Sequence, residues 1–192
     1  DIRVKIRVSE IGGKKVFHNI FKDITDVKRN EAALRESKDK LQIIFDNAPA
    51  IMLLVNEDSE ILKINETGLI AAGRPMEETV ELRNGDVMNC VGSFQDSRGC
   101  GHGLNCQTCK IRDTVERTFA EKRNFYKVEA QLDIIEQGGT VTHHFLISTS
   151  VVRSDEPRTV LVTFDEITGF KKAQEEKQAI DRRFRELFNN MG

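Results

Sequence analysis

Four cysteines, Cys90, Cys100, Cys106 and Cys109, lie within one short stretch, and the rest of the chain has none. Their spacing is C-x9-C-x5-C-x2-C. A C-x2-C pair presents two thiolates to one centre from a tight turn, and four thiolates suffice for a tetrahedral zinc or a cubane iron–sulfur cluster. Structural zinc sites often use two C-x2-C knuckles, whereas this chain has only Cys106 and Cys109 so placed. The irregular outer spacing suits a larger cluster. All four cysteines are therefore expected to bind a cofactor as metal ligands, with iron–sulfur the first reading and zinc the alternative. His102 is a candidate to replace one thiolate. Gly99, Gly101 and Gly103 are expected to bring backbone amides to the sulfurs, and Arg98, Lys110 and Arg112 to offset negative charge. Two readings need no metal: a thiol–disulfide switch and inert thiols.

Other candidates are weaker. His143 and His144 are adjacent on an expected strand and face opposite sides. His143 shares its side with Phe145, Ile147 and Val151, the position of a pocket-lining residue or a haem ligand, although a packed or surface histidine is the plainer reading. No phosphate-cradling glycine loop follows a strand, and no triad or pair of carboxylates converges. No catalytic residue is expected, and the segment is read as a non-enzyme.

These residues need a scaffold. The chain has 192 residues, 39% of them hydrophobic, which allows one sizeable core and not two ordinary domains. Charged residues make up 31% and the net charge is -2, without the basic excess of a nucleic-acid binder. No apolar run approaches the ~20 residues that cross a bilayer, and the alternating Asp1-Ile2-Arg3-Val4-Lys5 does not resemble a signal peptide. With clustered cysteines and no export signal, the expected location is cytoplasmic. The first residue is not Met, so the chain is read as a fragment whose parent carries any membrane anchor elsewhere.

An internal repeat organises the chain. At a constant offset of 143, Phe21 falls on Phe164, Asp23-Ile24-Thr25 on Glu166-Ile167-Thr168, Lys28 on Lys171, Leu41 on Phe184, Phe45 on Phe188 and Asn47 on Asn190. Each copy reads as a strand followed by a long helix. Strands are expected at Ile2 to Val8 and Lys15 to Phe21 around Gly12-Gly13, then a helix at 26–46 capped by Asp26 or Thr25. Val27, Leu34 and Leu41 recur every seven residues, a seam matched by Phe170, Ala173, Ile180, Phe184 and Leu187. Between the copies come a strand pair (Ala50 to Asn56, Ile61 to Ile64), a short helix from Asn65 to Ala72 ended by Gly73, and a helix at Ile111 to Lys122. Strands Phe125 to Ile135, Thr140 to Arg153 and Thr159 to Phe164 follow, with turns at Gly138-Gly139 and Ser154-Asp155-Glu156-Pro157. Tyr126, Val128, Ala130, Leu132 and Ile134 are expected on one side. This order is α+β, a five-stranded antiparallel sheet with helices on one face.

The order, with Phe45-Asp46-Asn47-Ala48-Pro49 at the entry, Asn65-Glu66-Thr67-Gly68 after the second strand and Phe164-Asp165-Glu166-Ile167-Thr168 at the close, resembles the PAS domain family. Glu166 stands where that family's closing D-I-T has Asp. Phe21-Lys22-Asp23-Ile24-Thr25-Asp26 repeats the closing motif, and Phe188-Asn189-Asn190-Met191-Gly192 resembles another opening. The resemblance implies the end of one PAS-like domain at 1–25, a signalling helix at 26–46, a complete domain at 47–168 with a cysteine loop at 90–109, and at 169–192 a second helix and the start of a further domain. It implies a sensory module for redox, oxygen or a small ligand, and the heptad seams lead to the expectation of a homodimer through coiled-coil helices, the alternative being amphipathic helices lying on their own domains. Its partners would be neighbouring PAS and output domains, a histidine kinase or a cyclic-dinucleotide enzyme. The G-C-G-x4-C-x2-C loop is similar to an insertion in some PAS-containing sensor kinases.

Overall fold

The computed structural model describes residues 1–152 and 158–189. The turn expected at Ser154-Asp155-Glu156-Pro157, and the residues Asn190, Met191 and Gly192, lie outside them. Two compact units divide the chain, one spanning Asp1–Phe45 and the other beginning at Asp46.

In the first unit, β1 (Ile2–Ile11) pairs antiparallel with β2 (Lys14–Asp23), from Ile2 opposite Asp23 to Ile11 opposite Lys14. The two-residue turn has φ +60° at Gly12 and +78° at Gly13, values that a side chain would strain. Helix α1 (Thr25–Asp46) follows. The Asp23 carboxylate accepts hydrogen bonds from the Thr25 amide and hydroxyl at 2.9 and 2.6 Å. Asp23 thus secures the helix start that the sequence reading gave to Asp26 or Thr25, because it reaches two residues ahead in an Asx-type turn.

The second unit is built on one antiparallel sheet. Its strands are β3 (Ile51–Val55), β4 (Ile61–Ile64), β5 (Phe125–Glu136), β6 (Gly139–Val152) and β7 (Thr159–Glu166), in the order β4-β3-β7-β6-β5. Alternation sends Ile51, Leu53 and Val55 of β3, Val160, Val162 and Phe164 of β7, and Phe145 and Ile147 of β6 into the core. Helices α2 (Glu66–Ala72), α3 (Asn84–Val87) and α4 (Lys110–Glu121) cover that face through Ala72, Val87, Ile111 and Val115. Each such fully buried aliphatic side chain contributes about 1.5–3 kcal/mol. Thr118 of α4 and Thr149 of β6 are both fully buried, and their hydroxyls meet at 2.6 Å. Helix α5 (Thr168–Asn189) leaves the end of β7.

One expectation fails on β5. Ala130, Leu132 and Ile134 point inward, but Tyr126 is exposed. The register shifts between Phe125 and Val128, and Lys127 has φ +51°. This bulge turns the start of the strand over, which a strict two-residue alternation cannot anticipate.

The two strand-to-helix joints are built alike. The Ile24 amide donates to the Asp1 carbonyl, and 143 positions later the Ile167 amide donates to the His144 carbonyl. The Thr25 hydroxyl accepts from the Asp1 amino group at 2.6 Å, and the Thr168 hydroxyl accepts from the His144 amide at 2.9 Å. Lys28 and Lys171 each donate their amide to the carbonyl four residues back. The sequence repeat is thus also a repeat of hydrogen bonds.

Candidate functional site

The cysteine loop begins where α3 ends. Val87 is fully buried and pins this short helix to the core. Asn89 then takes φ +52°, and Cys90 forms an isolated antiparallel bridge with Ile134 of β5. The Ile135 amide donates to the Asn89 carbonyl at 3.0 Å. Cys90 is therefore stitched to the sheet by its backbone. Cys100 is held by its amide, which donates to the Asp86 carboxylate at 2.7 Å. Cys106 is buried in the last short turn, Leu104–Thr108. Cys109 stands at the entry to α4, where its carbonyl accepts from the Asp113 amide.

All four cysteines line one cavity of about 470 Å³ between the loop, the start of α4 and the sheet. Leu53, Val55, Leu132, Val162 and Phe164 face it from the strands. Two glycines seat the sulfurs. A Cβ on Gly85 would lie 2.6 Å from the Cys100 sulfur, and one on Gly92 would lie 3.3 and 3.6 Å from the sulfurs of Cys106 and Cys90. The Gly85 amide favours the Cys100 thiolate, and the Gly92 and Ser93 amides favour that of Cys90. Burial pushes the Cys100 thiol up to about 11, and burial likewise raises Cys90 against the pull of its two amides. All four are free thiols in this structure. Among the described residues, no three His, Cys, Asp or Glu side chains are grouped to hold a single metal ion.

Two arginines tie the loop down. Arg83 donates to the Cys100 carbonyl at 3.0 Å, and Arg112 to the Gly101 carbonyl at 2.8 Å. Arg112 also pairs with Glu116.

No protein-family profile matches the sequence, and no curated protein does. Solved structures do match. A PAS domain from Colwellia psychrerythraea superposes with a TM-score of 0.50 at 12% identity, covering 71% of this chain and 98% of that one. The chain contains a domain of the PAS fold. A PAS domain of an HTR-like protein from Haloarcula marismortui (TM-score 0.48, 18% identity, 73% and 99% covered) is also similar. So is a PAS domain from a two-component sensor histidine kinase (TM-score 0.47, 11% identity, 69% and 97% covered).

Within this PAS fold the sequence-derived site residues separate into two groups. Cys90, Cys100, Cys106, Cys109, His102, Lys110 and Arg112 all line the cavity. His102 is exposed on its rim, its Nε2 3.2 Å from Arg83 Nη1 and placed to accept from that guanidinium. Arg98 is turned away, exposed and paired with Asp96 at 2.9 Å. Gly85 and Gly92, rather than Gly99, Gly101 and Gly103, are the glycines packed against cysteine sulfurs. Gly99 instead makes room for the Asp86 carboxylate, and Gly103 passes against the Gly92 carbonyl. His143 does not line the cavity. It stacks on Phe145 and lies between Glu136 and Glu166. Arg83, Asp86, Gly85 and Gly92 were missed. Their only sequence signal is nearness to Cys90, and nothing in the spacing shows that Gly85 meets Cys100.

Proposed function

We propose that this chain is a sensory module of a signal-transduction protein, of the sensor histidine kinase kind. In this reading Cys90, Cys100, Cys106 and Cys109 together hold a redox- or oxygen-responsive iron–sulfur cluster. The observation that carries the reading is that all four cysteines line one cavity against the sheet. The donor chemistry fits, since four thiols line one cavity with backbone amides that favour the thiolates of Cys90 and Cys100, and the four side chains would draw together on binding the cluster. Hydrogen bonds to the sulfurs, with solvent exposure, tune a cluster's potential. A cluster bound here would supply one-electron chemistry or lability to oxygen.

The chain's own residues do the rest. Arg83 and Arg112 hold the Cys100–Gly101 backbone in place. Cys90 joins the site to β5, and Cys109 joins it to α4, which packs on the sheet. A loosened loop therefore frees one strand edge and one helix start together. The signal leaves along α5. The segment itself is not read as an enzyme.

In the same reading Asp1–Thr25 closes a preceding PAS-like domain, supported by the duplicated joint, residues 47–168 form the complete one, and α1 and α5 are signalling helices. Their apolar stripes, Val27, Leu34 and Leu41 on α1 and Phe170, Ile180 and Phe184 on α5, are 50–68% exposed, the surface a homodimer would cover. Leu187 has no described side chain.

Anaerobic purification, an absorbance spectrum and analysis for iron, sulfide and zinc test the cofactor. Brown protein with iron and acid-labile sulfide is the expected result. Stoichiometric zinc without iron overturns it in favour of a structural zinc module.

A further inference from the structure

His143 is held between two carboxylates contributed by two different strands. Its Nδ1 is 2.8 Å from Oε1 of Glu166, the last residue of β7. Its Nε2 is 3.0 Å from Oε1 of Glu136, the last residue of β5. The Nε2 contact is close but off the line of a hydrogen bond, and this nitrogen is buried without another partner among the described residues. The imidazole is 18% exposed and stacks on Phe145, with ring centroids 6.2 Å apart.

A neutral imidazole carries one N–H and one lone pair. Either tautomer here sets a lone pair against a carboxylate oxygen, at 2.8 Å on one side or 3.0 Å on the other. Only the imidazolium sets no lone pair against either carboxylate and places its positive charge between both. Glu166 is held below the usual carboxylate range: burial raises it, but hydrogen bonds from His143 and Thr168 outweigh that, and the charges of His143 and Lys172 add to them. Among the described residues, the charged groups that meet the ring are Glu136 from β5 and Glu166 from β7, with Lys172 of α5 acting on Glu166. Phe145, on the ring's own strand, is apolar.

The position is consequential. Glu136 ends β5 two residues beyond Ile134, the bridge partner of Cys90. Glu166 precedes Ile167 and Thr168, which open α5 and bond to the backbone of His144. We propose that His143 is a protonation-dependent clamp between the β5–β6 turn and the β7–α5 joint, giving the module a pH input separate from the cysteine site. With the ring protonated the clamp is closed on both carboxylates. With it neutral one contact turns repulsive, and turn and joint separate.

The test needs no cofactor. Amide NMR spectra of the full chain, recorded from about pH 5.5 to 8 across the histidine range, should show Gln137 and Gly138 of the turn shifting with Ile167 and Thr168 of the joint at one midpoint. His143→Gln should abolish that shared titration. His18→Gln, His102→Gln and His144→Gln should leave it. Glu136→Gln should flatten the turn amides while the joint still titrates, and this variant decides the matter if His143→Gln does not fold. Separate midpoints at turn and joint, or joint shifts that persist in His143→Gln, overturn the clamp. Neither outcome bears on metal content.

Discussion

Asn65 is fully buried and leaves no polar atom unused. Its carbonyl oxygen accepts from the amides of Met52 and Gly68 at 3.0 Å, and its amide group donates to the Ala50 and Ala48 carbonyls at 2.9 and 3.4 Å. One side chain thus caps α2 and fastens it to the entry of β3. Asn65→Ala removes the cap and strands buried groups, so it should cost on the order of 3 kcal/mol in urea unfolding. The cysteines make a second prediction at this scale. Cys100 is raised from 9.0 to about 11 when folded, so the unfolded chain loses its thiol proton first as pH climbs. Metal-free protein should hold its stability below pH 9 and lose part of it between there and about 11. Cys100→Ser should lose less over that window, as thermal melts across the range would show.

At the scale of elements, the joint between β7 and α5 is the part most open to test. Thr168 is nearly buried, and its hydroxyl fixes the first turn of α5 to β6 through the His144 amide. Thr168→Ala removes a bond worth about 1 kcal/mol, and Glu166→Ala removes the carboxylate between His143 and Thr168. Both variants should raise amide exchange in the first turn of α5 without changing cofactor content; a fall in cofactor content would mark the joint as merely structural. Much at this scale was legible in sequence. Asn65 and Gly73 bound α2 as their cap chemistry requires, and Gly73 has the left-handed φ of +63° that a helix end favours. The β5 bulge was not legible, because it depends on how β5 pairs with β6. That the four cysteines share one cavity was legible because they lie near one another in sequence. The packing of Gly85 and Gly92 against the sulfurs was not, because it arises only after the loop folds back.

Across the whole molecule, the fold follows from element order and alternation, and the duplicated joint shows that the repeat is structural. The exposed stripes on α1 and α5 lead to a prediction about assembly. Leu34→Lys together with Leu41→Lys should weaken self-association several-fold in sedimentation equilibrium, whereas a wild-type monomer at high micromolar concentration would contradict a helix-mediated dimer. The cysteine loop makes the larger claim. It carries few apolar residues, and Leu104 and Phe94 are exposed, so its own burial does not account for its order. A bound centre would supply the missing stability. The most direct measurement is metal and sulfide content, with native-state thiol titration, on anaerobically purified wild-type protein and the four single Cys→Ser variants. The account predicts iron and sulfide in the wild type, protected thiols, and a loss of both in each variant. Wild-type protein without metal or sulfide, its four thiols all reacting freely, would contradict it.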